Sequence, residues 1–116
     1  MNDFDFGQLG QFLPDLGEIN NKLARVSERV AREPVTAESG GGMVSIVGTA
    51  DMRVKSVKLD NNLLSLEDNE MTSDLITAAF NQLIEKCKER SAEIATEELG
   101  PLASMMQNSP LTSLIR

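Results

Sequence analysis

The sequence predicts one α+β domain of α-β-β-β-α order, a three-stranded antiparallel sheet between two long helices. Three observations lead there: a glycine triplet at Gly40, Gly41 and Gly42 between β-type runs, an apolar stripe at helical spacing before it, and another after it. A length of 116 residues suits a single core.

The first helix is read from Leu9, Phe12, Leu16, Ile19, Leu23, Val26 and Val30, whose spacings alternate between three and four. Pro14 suits a first helical turn, so the firm helix is expected to begin near Pro14 or Asp15 and to end before Pro34. Its apolar seam fits either a partner helix or the chain's own sheet.

After Pro34 the period becomes alternating. Val35 to Glu38 read as a strand, and the three glycines supply the φ > 0 backbone of a hairpin. Met43 to Thr49 form a second strand with a bulge or close approach expected at Gly48. Ala50 and Asp51 turn the chain into a third, Met52 to Leu59. Asp60, Asn61 and Asn62 close the sheet, and Leu63 to Asp68 form a short turn or helical piece.

The second long helix starts at Asn69 or Thr72. Its buried stripe is Leu75, Ile76, Ala79, Phe80, Leu83, Ile84, Cys87 and Ile94, with Leu99 at its end, and Gly100 and Pro101 stop it. Glu85, Glu89, Glu93 and Glu97 are expected on the solvated side. The organisation is thus a flexible lead over 1–13, the domain over 14–99 and a mobile tail over 100–116.

Composition excludes several classes of function. There is no His, and with one Cys no disulfide framework or thiolate zinc site forms within the chain. Cys87 reads as a small core residue. A Ser nucleophile would lack a base, and the carboxylates fall on helix surfaces and turns, so neither an enzyme nor a cofactor or small-molecule substrate is expected. The glycine triplet lacks the Lys and Ser/Thr of a phosphate loop. Four Phe and no Trp or Tyr argue against base-stacking platforms for single strands. No secretory signal or membrane span is evident, which points to the cytoplasm.

The net charge is −7, yet it is unevenly placed. Residues 22 to 59 hold seven basic residues against four acids, a local net of +3. Lys22, Arg25, Arg29 and Arg32 are spaced three, four, three, and so share one stripe of the first helix. Such a stripe suits a phosphate backbone. It also continues backward to Glu18 and Asp15, and acids at a helix start with bases at its end are what the helix dipole favours alone. Both readings stand. Arg53, Lys55 and Lys58, and Lys86, Lys88 and Arg90, would extend a positive surface, the latter group diluted by its neighbouring glutamates.

In order, the chain presents Val35-Thr36-Ala37-Glu38-Ser39-Gly40-Gly41-Gly42-Met43-Val44, then Val57-Lys58-Leu59-Asp60, then Asp74-Leu75-Ile76-Thr77-Ala78-Ala79-Phe80-Asn81. This combination resembles the YbaB/EbfC family of bacterial nucleoid-associated proteins over roughly residues 16 to 99. The resemblance implies a homodimer formed through the sheet, projecting helices, and non-catalytic binding of double-stranded DNA in the nucleoid with little sequence preference. On charge geometry the expected DNA contacts are Lys22, Arg25, Arg29 and Arg32, with Lys86 and Arg90. The expected dimer contacts are Leu23, Val26, Val44, Ile46 and Val57. The rival expectation is a protein-interaction adaptor on the same scaffold. The first helix lacks the Met- and Gln-rich repeats common in the family, and the tail is longer than its pattern.

Overall fold

A computed structural model describes residues 16–100; the lead over 1–13, the helix start near Pro14 and nearly all of the 100–116 tail lie outside them. Helix α1 spans Leu16–Arg32, strand β1 Pro34–Ser39, β2 Val44–Thr49 and β3 Arg53–Leu59. A short helix α2, Asn61–Ser65, precedes the long α3, Asn69–Leu99. The expected α-β-β-β-α order is present, with α2 as an additional turn of helix.

The sheet is antiparallel in the order β1-β2-β3. Its first hairpin is closed by Gly40, Gly41 and Gly42, whose φ angles of 60°, 66° and 94° lie in the region that side chains disfavour. Gly40 also passes close to the Leu75 methyl groups. In the second ladder, Gly48 opposes Val54 and Val47 opposes Ser56, leaving Lys55 as the extra residue of a β-bulge. A Cβ at Gly48 would overlap the Arg53 carbonyl oxygen, so the expected close approach is real.

Local chemistry sets the helix ends. The Asp60 carboxylate accepts from the Asn62 amide at 2.7 Å, and Asp68 accepts from Met71 at 3.0 Å; each caps the helix it precedes. At the far end Gly100 turns away with φ 56°.

Alternation along β1 and β2 buries Val35, Ala37, Val44 and Ile46 under α3. The helix supplies Ala79, Leu83, Cys87 and Ile94, and α2 contributes Leu63. Each large aliphatic side chain buried here contributes about 1.5–3 kcal/mol. Ile84, expected in the buried stripe, is 40% exposed, and Leu75, Ile76 and Phe80 only rim the core. The reason is offset: α3 lies over β1 and β2, so the face of β3 that continues the core is left uncovered.

Helix α1 buries no residue completely. Among the described residues of its seam only Val26 and Val30 pack against the core, and the helix rests mainly on α3. Its end is tied to the β2–β3 turn, where Ala50 donates to the Glu33 carbonyl at 2.9 Å and Asp51 to that of Val30 at 3.1 Å. From α3, the Ser91 hydroxyl donates to the Ala50 carbonyl at 2.6 Å and Cys87 Sγ to that of Thr49 at 3.2 Å. Burial pushes the Cys87 thiol up, as befits the core residue its position predicts.

Candidate nucleic-acid interface

The basic stripe of α1 divides into two flanks. At about 100° per residue, Lys22 and Arg29 lie on the side nearer the Val26 seam, whereas Arg25 and Arg32 lie about 40° and 60° beyond Arg29, away from it. Because the seam rests on α3, Arg29 of the near flank reaches α3, whereas the far flank meets solvent.

Arg29 shows the consequence. Its guanidinium donates to Glu97 at 2.6 Å and to Glu98 at 3.1 Å. The Glu97 hydrogen bond, then that of Glu98, raises the Arg29 pKa; in return, Arg29 holds the Glu97 carboxyl below its ordinary range. Arg90 is held likewise, donating to Glu33 and Glu93, each at 2.8 Å, with Glu97 at 3.8 Å. Its pKa is raised, chiefly by Glu33 and then Glu93. The two arginines therefore clamp α1 and its exit to the last turns of α3. The clamp's acids are Glu97 and Glu98 opposite Arg29 and Glu33 opposite Arg90; Glu93 and Glu97 are exposed, as expected of a solvated face, with Glu97 also reaching Arg29.

Lys86 is turned elsewhere, its Nζ donating to the Thr36 carbonyl at 3.0 Å. Lys22 pairs with Glu18 at 3.4 Å across one exposed helical turn, a contact of about 0.3–0.5 kcal/mol that readily exchanges. Arg25 and Arg32 are exposed and have no ion pair or side-chain hydrogen bond among the described residues. They stand about 10 Å apart along the helix axis. On β3, Lys55 and Lys58 are exposed and unpaired in the same sense, whereas Arg53 faces Asp51 at 3.4 Å.

Of the six expected DNA contacts, then, the structure leaves Arg25 and Arg32 open and Lys22 exchangeable, and gives Arg29, Arg90 and Lys86 intramolecular partners. Nothing in the sequence pairs Arg29 with carboxylates 68 and 69 positions away.

The expected dimer contacts divide as well. Val44 and Ile46 are fully buried in the protomer's own core and present no surface to a second copy, because alternation aims them at α3. Leu23 and Val57 are each 42% exposed, and Val26 is half-buried. Beside Val57 on the uncovered face of β3 is Val54, which is 45% exposed. The offset of α3 toward β1 and β2 leaves both uncovered.

Among the described residues no cluster of His, Cys, Asp or Glu has the arrangement of a metal site, and no helix is long and apolar enough to cross a membrane. The clefts are shallow and polar. One of about 310 Å³ lies between β1 and α3, lined by Thr36, Lys86, Glu89, Arg90 and Glu93 among others.

Comparison with known proteins agrees with this architecture. The chain is 41% identical over 85 residues to a nucleoid-associated protein of Syntrophobacter fumaroxidans, covering 73% of this chain and 74% of that one. It is 36% identical over 81 residues to a nucleoid-associated protein of Rickettsia rickettsii, covering 70% and 76%. The crystal structure of an uncharacterized protein from Helicobacter pylori superposes with a TM-score of 0.67 at 28% identity, over 84% of this chain and 99% of that one. The profile of the YbaB/EbfC DNA-binding family matches residues 6–106, and with the shared helix, three-stranded sheet and long final helix it places the chain in the YbaB/EbfC DNA-binding family.

Proposed function

We propose that the protein is a homodimeric, non-catalytic binder of double-stranded DNA in the nucleoid, which contacts phosphates chiefly through Arg25 and Arg32 of each protomer. The observation that carries this is the division of the basic stripe: the flank facing solvent keeps two guanidiniums without a partner among the described residues on one line, while Arg29 of the other flank is held by Glu97 and Glu98. Lys22 joins them by releasing Glu18. Phosphate contacts of this kind carry little sequence information, so weak sequence preference follows. An acidic protein of net charge −7 then binds DNA only where these rows meet it.

The uncovered face of β3 supports the dimer. Val54, Val57 and Ile84 form exposed apolar surface beside the core, and a second copy laid on the sheet would bury it. Fluorescence anisotropy of labelled duplex DNA across a salt series tests the reading: affinity falling steeply with salt supports it, and absent binding at low salt sinks it. In that event the adaptor reading gains, in which the exposed helix face receives another protein.

A further inference from the structure

The two edges of the sheet are finished differently. On β1, the Thr36 carbonyl accepts from Lys86 Nζ at 3.0 Å, and the Glu38 amide donates to Gln82 Oε1 at 2.9 Å. Both groups therefore point away from β2. In an antiparallel ladder the outward groups recur at every second residue, which makes 34, 36 and 38 the outward positions of β1. Pro34 has no N–H to offer. At each of the three, one member of the donor-acceptor pair that an incoming strand requires is occupied or missing.

The spacing is matched to the task. Gln82 and Lys86 are four residues apart on α3, a rise of about 6 Å, and Glu38 and Thr36 are two apart on a strand, about 6.8 Å. One helix face thus caps two successive outward groups. On β3, no side chain among the described residues hydrogen-bonds a backbone group of residues 53–59.

We propose that Gln82 and Lys86 are edge guards: they deny β1 to the β1 of a second copy, so that association through the sheet is confined to the β3 side and closes at two copies. The proposal rests on the sheet-mediated dimer above. It gives Lys86 a role in limiting assembly in place of a DNA contact. A protomer with one pairing side makes closed pairs, and one with two makes open-ended chains.

The test is sedimentation velocity of the full chain and its Q82A/K86A variant over a concentration series. Wild type is expected to level off at the mass of two copies, and the variant to exceed it by about twofold or more as concentration rises. A folded variant that stays at the wild-type mass overturns the proposal. K86R retains a donor and is expected to behave as wild type; if it also grows, the guard is not the hydrogen bond and the proposal fails. Should the double variant not fold, hydrogen exchange on Q82A decides. The Glu38 amide is expected to exchange about tenfold faster or more while Ala37, bonded into the ladder, is unchanged; an unchanged Glu38 rate overturns the guard. A monomeric wild type would refute the dimer reading alone, and the variant's gain of β1-mediated mass over it would still support the guard.

Discussion

Replacing Arg25 and Arg32 together with Ala should remove most of the salt dependence of DNA binding, whereas replacing Arg29 should not. Each phosphate neutralised on B-DNA contributes a slope of about −0.9 to log K against log salt. On the proposed reading, Lys22, Arg25 and Arg32 from two protomers would make six contacts, for a slope of about −5. Between 50 and 200 mM salt that weakens binding by about a thousandfold. R25A/R32A leaves only the two Lys22 contacts, a slope of about −2 and a loss of about tenfold over the same range. Both positions are exposed and unpaired among the described residues, so the protomer should melt as wild type does. Arg29 already spends its guanidinium on Glu97 and Glu98, so Arg29→Met should keep a slope near wild type while loosening α1. Anisotropy at four or five salt concentrations, with thermal melts of each variant, reads both. An unchanged slope in R25A/R32A, or an equal loss in the Arg29 variant, would refute the two-flank assignment.

Other outcomes follow from the core and the clamp. Ile46→Ala empties a fully buried position and should lower stability by about 2–5 kcal/mol in urea unfolding, with no separate effect on the DNA salt slope. Gly48→Ala forces a Cβ into the Arg53 carbonyl and should destabilise by more than the usual surface change of about 0.5 kcal/mol; a neutral result would mean that the bulge can move. Glu97 has a depressed pKa in the folded state, so its contribution is present above the ordinary carboxylate value of about 4.3 and is lost as pH falls through the folded value. Proteolytic nicking of α1 should therefore stay constant from pH 7 to about 5 and rise below about 4. Loosening already at pH 6 would argue against the carboxylate clamp.

Much of the fold was legible because local chemistry determined it. The glycine triplet reads as a turn, Gly48 as a bulge or close approach, and Asn69 or Thr72 as the start of the last helix, which the structure places at Asn69. The short α2 reads partly as the close of the sheet, at Asn61 and Asn62, and partly as a turn or helical piece from Leu63, because five residues are too few for a period to show. The exposure of Ile84 was hidden for another reason: its spacing belongs to the apolar stripe, and only the offset of α3 from β3 decides which members are covered. The basic stripe was visible as a pattern. Its division was not, since Arg29 and Arg25 are the same residue type on one face and differ only in which of them points at α3. Lys86 likewise reads as surface charge until the Thr36 carbonyl is placed beneath it.

The β2–β3 turn has a consequence for how such a protein could be retuned. Ala50 and Asp51 hold the carbonyls of Glu33 and Val30, while Ser91 and Cys87 anchor the same turn from α3. The end of α1 is fixed at this joint, and in the proposed dimer the joint would also set the spread of the two arms that carry the basic stripes. One residue gained or lost in the turn would swing a whole arm without altering a single charge on it. On the proposed dimeric reading, the gauge of duplex accepted between the arms would then be written in a tight loop and not in the arms themselves.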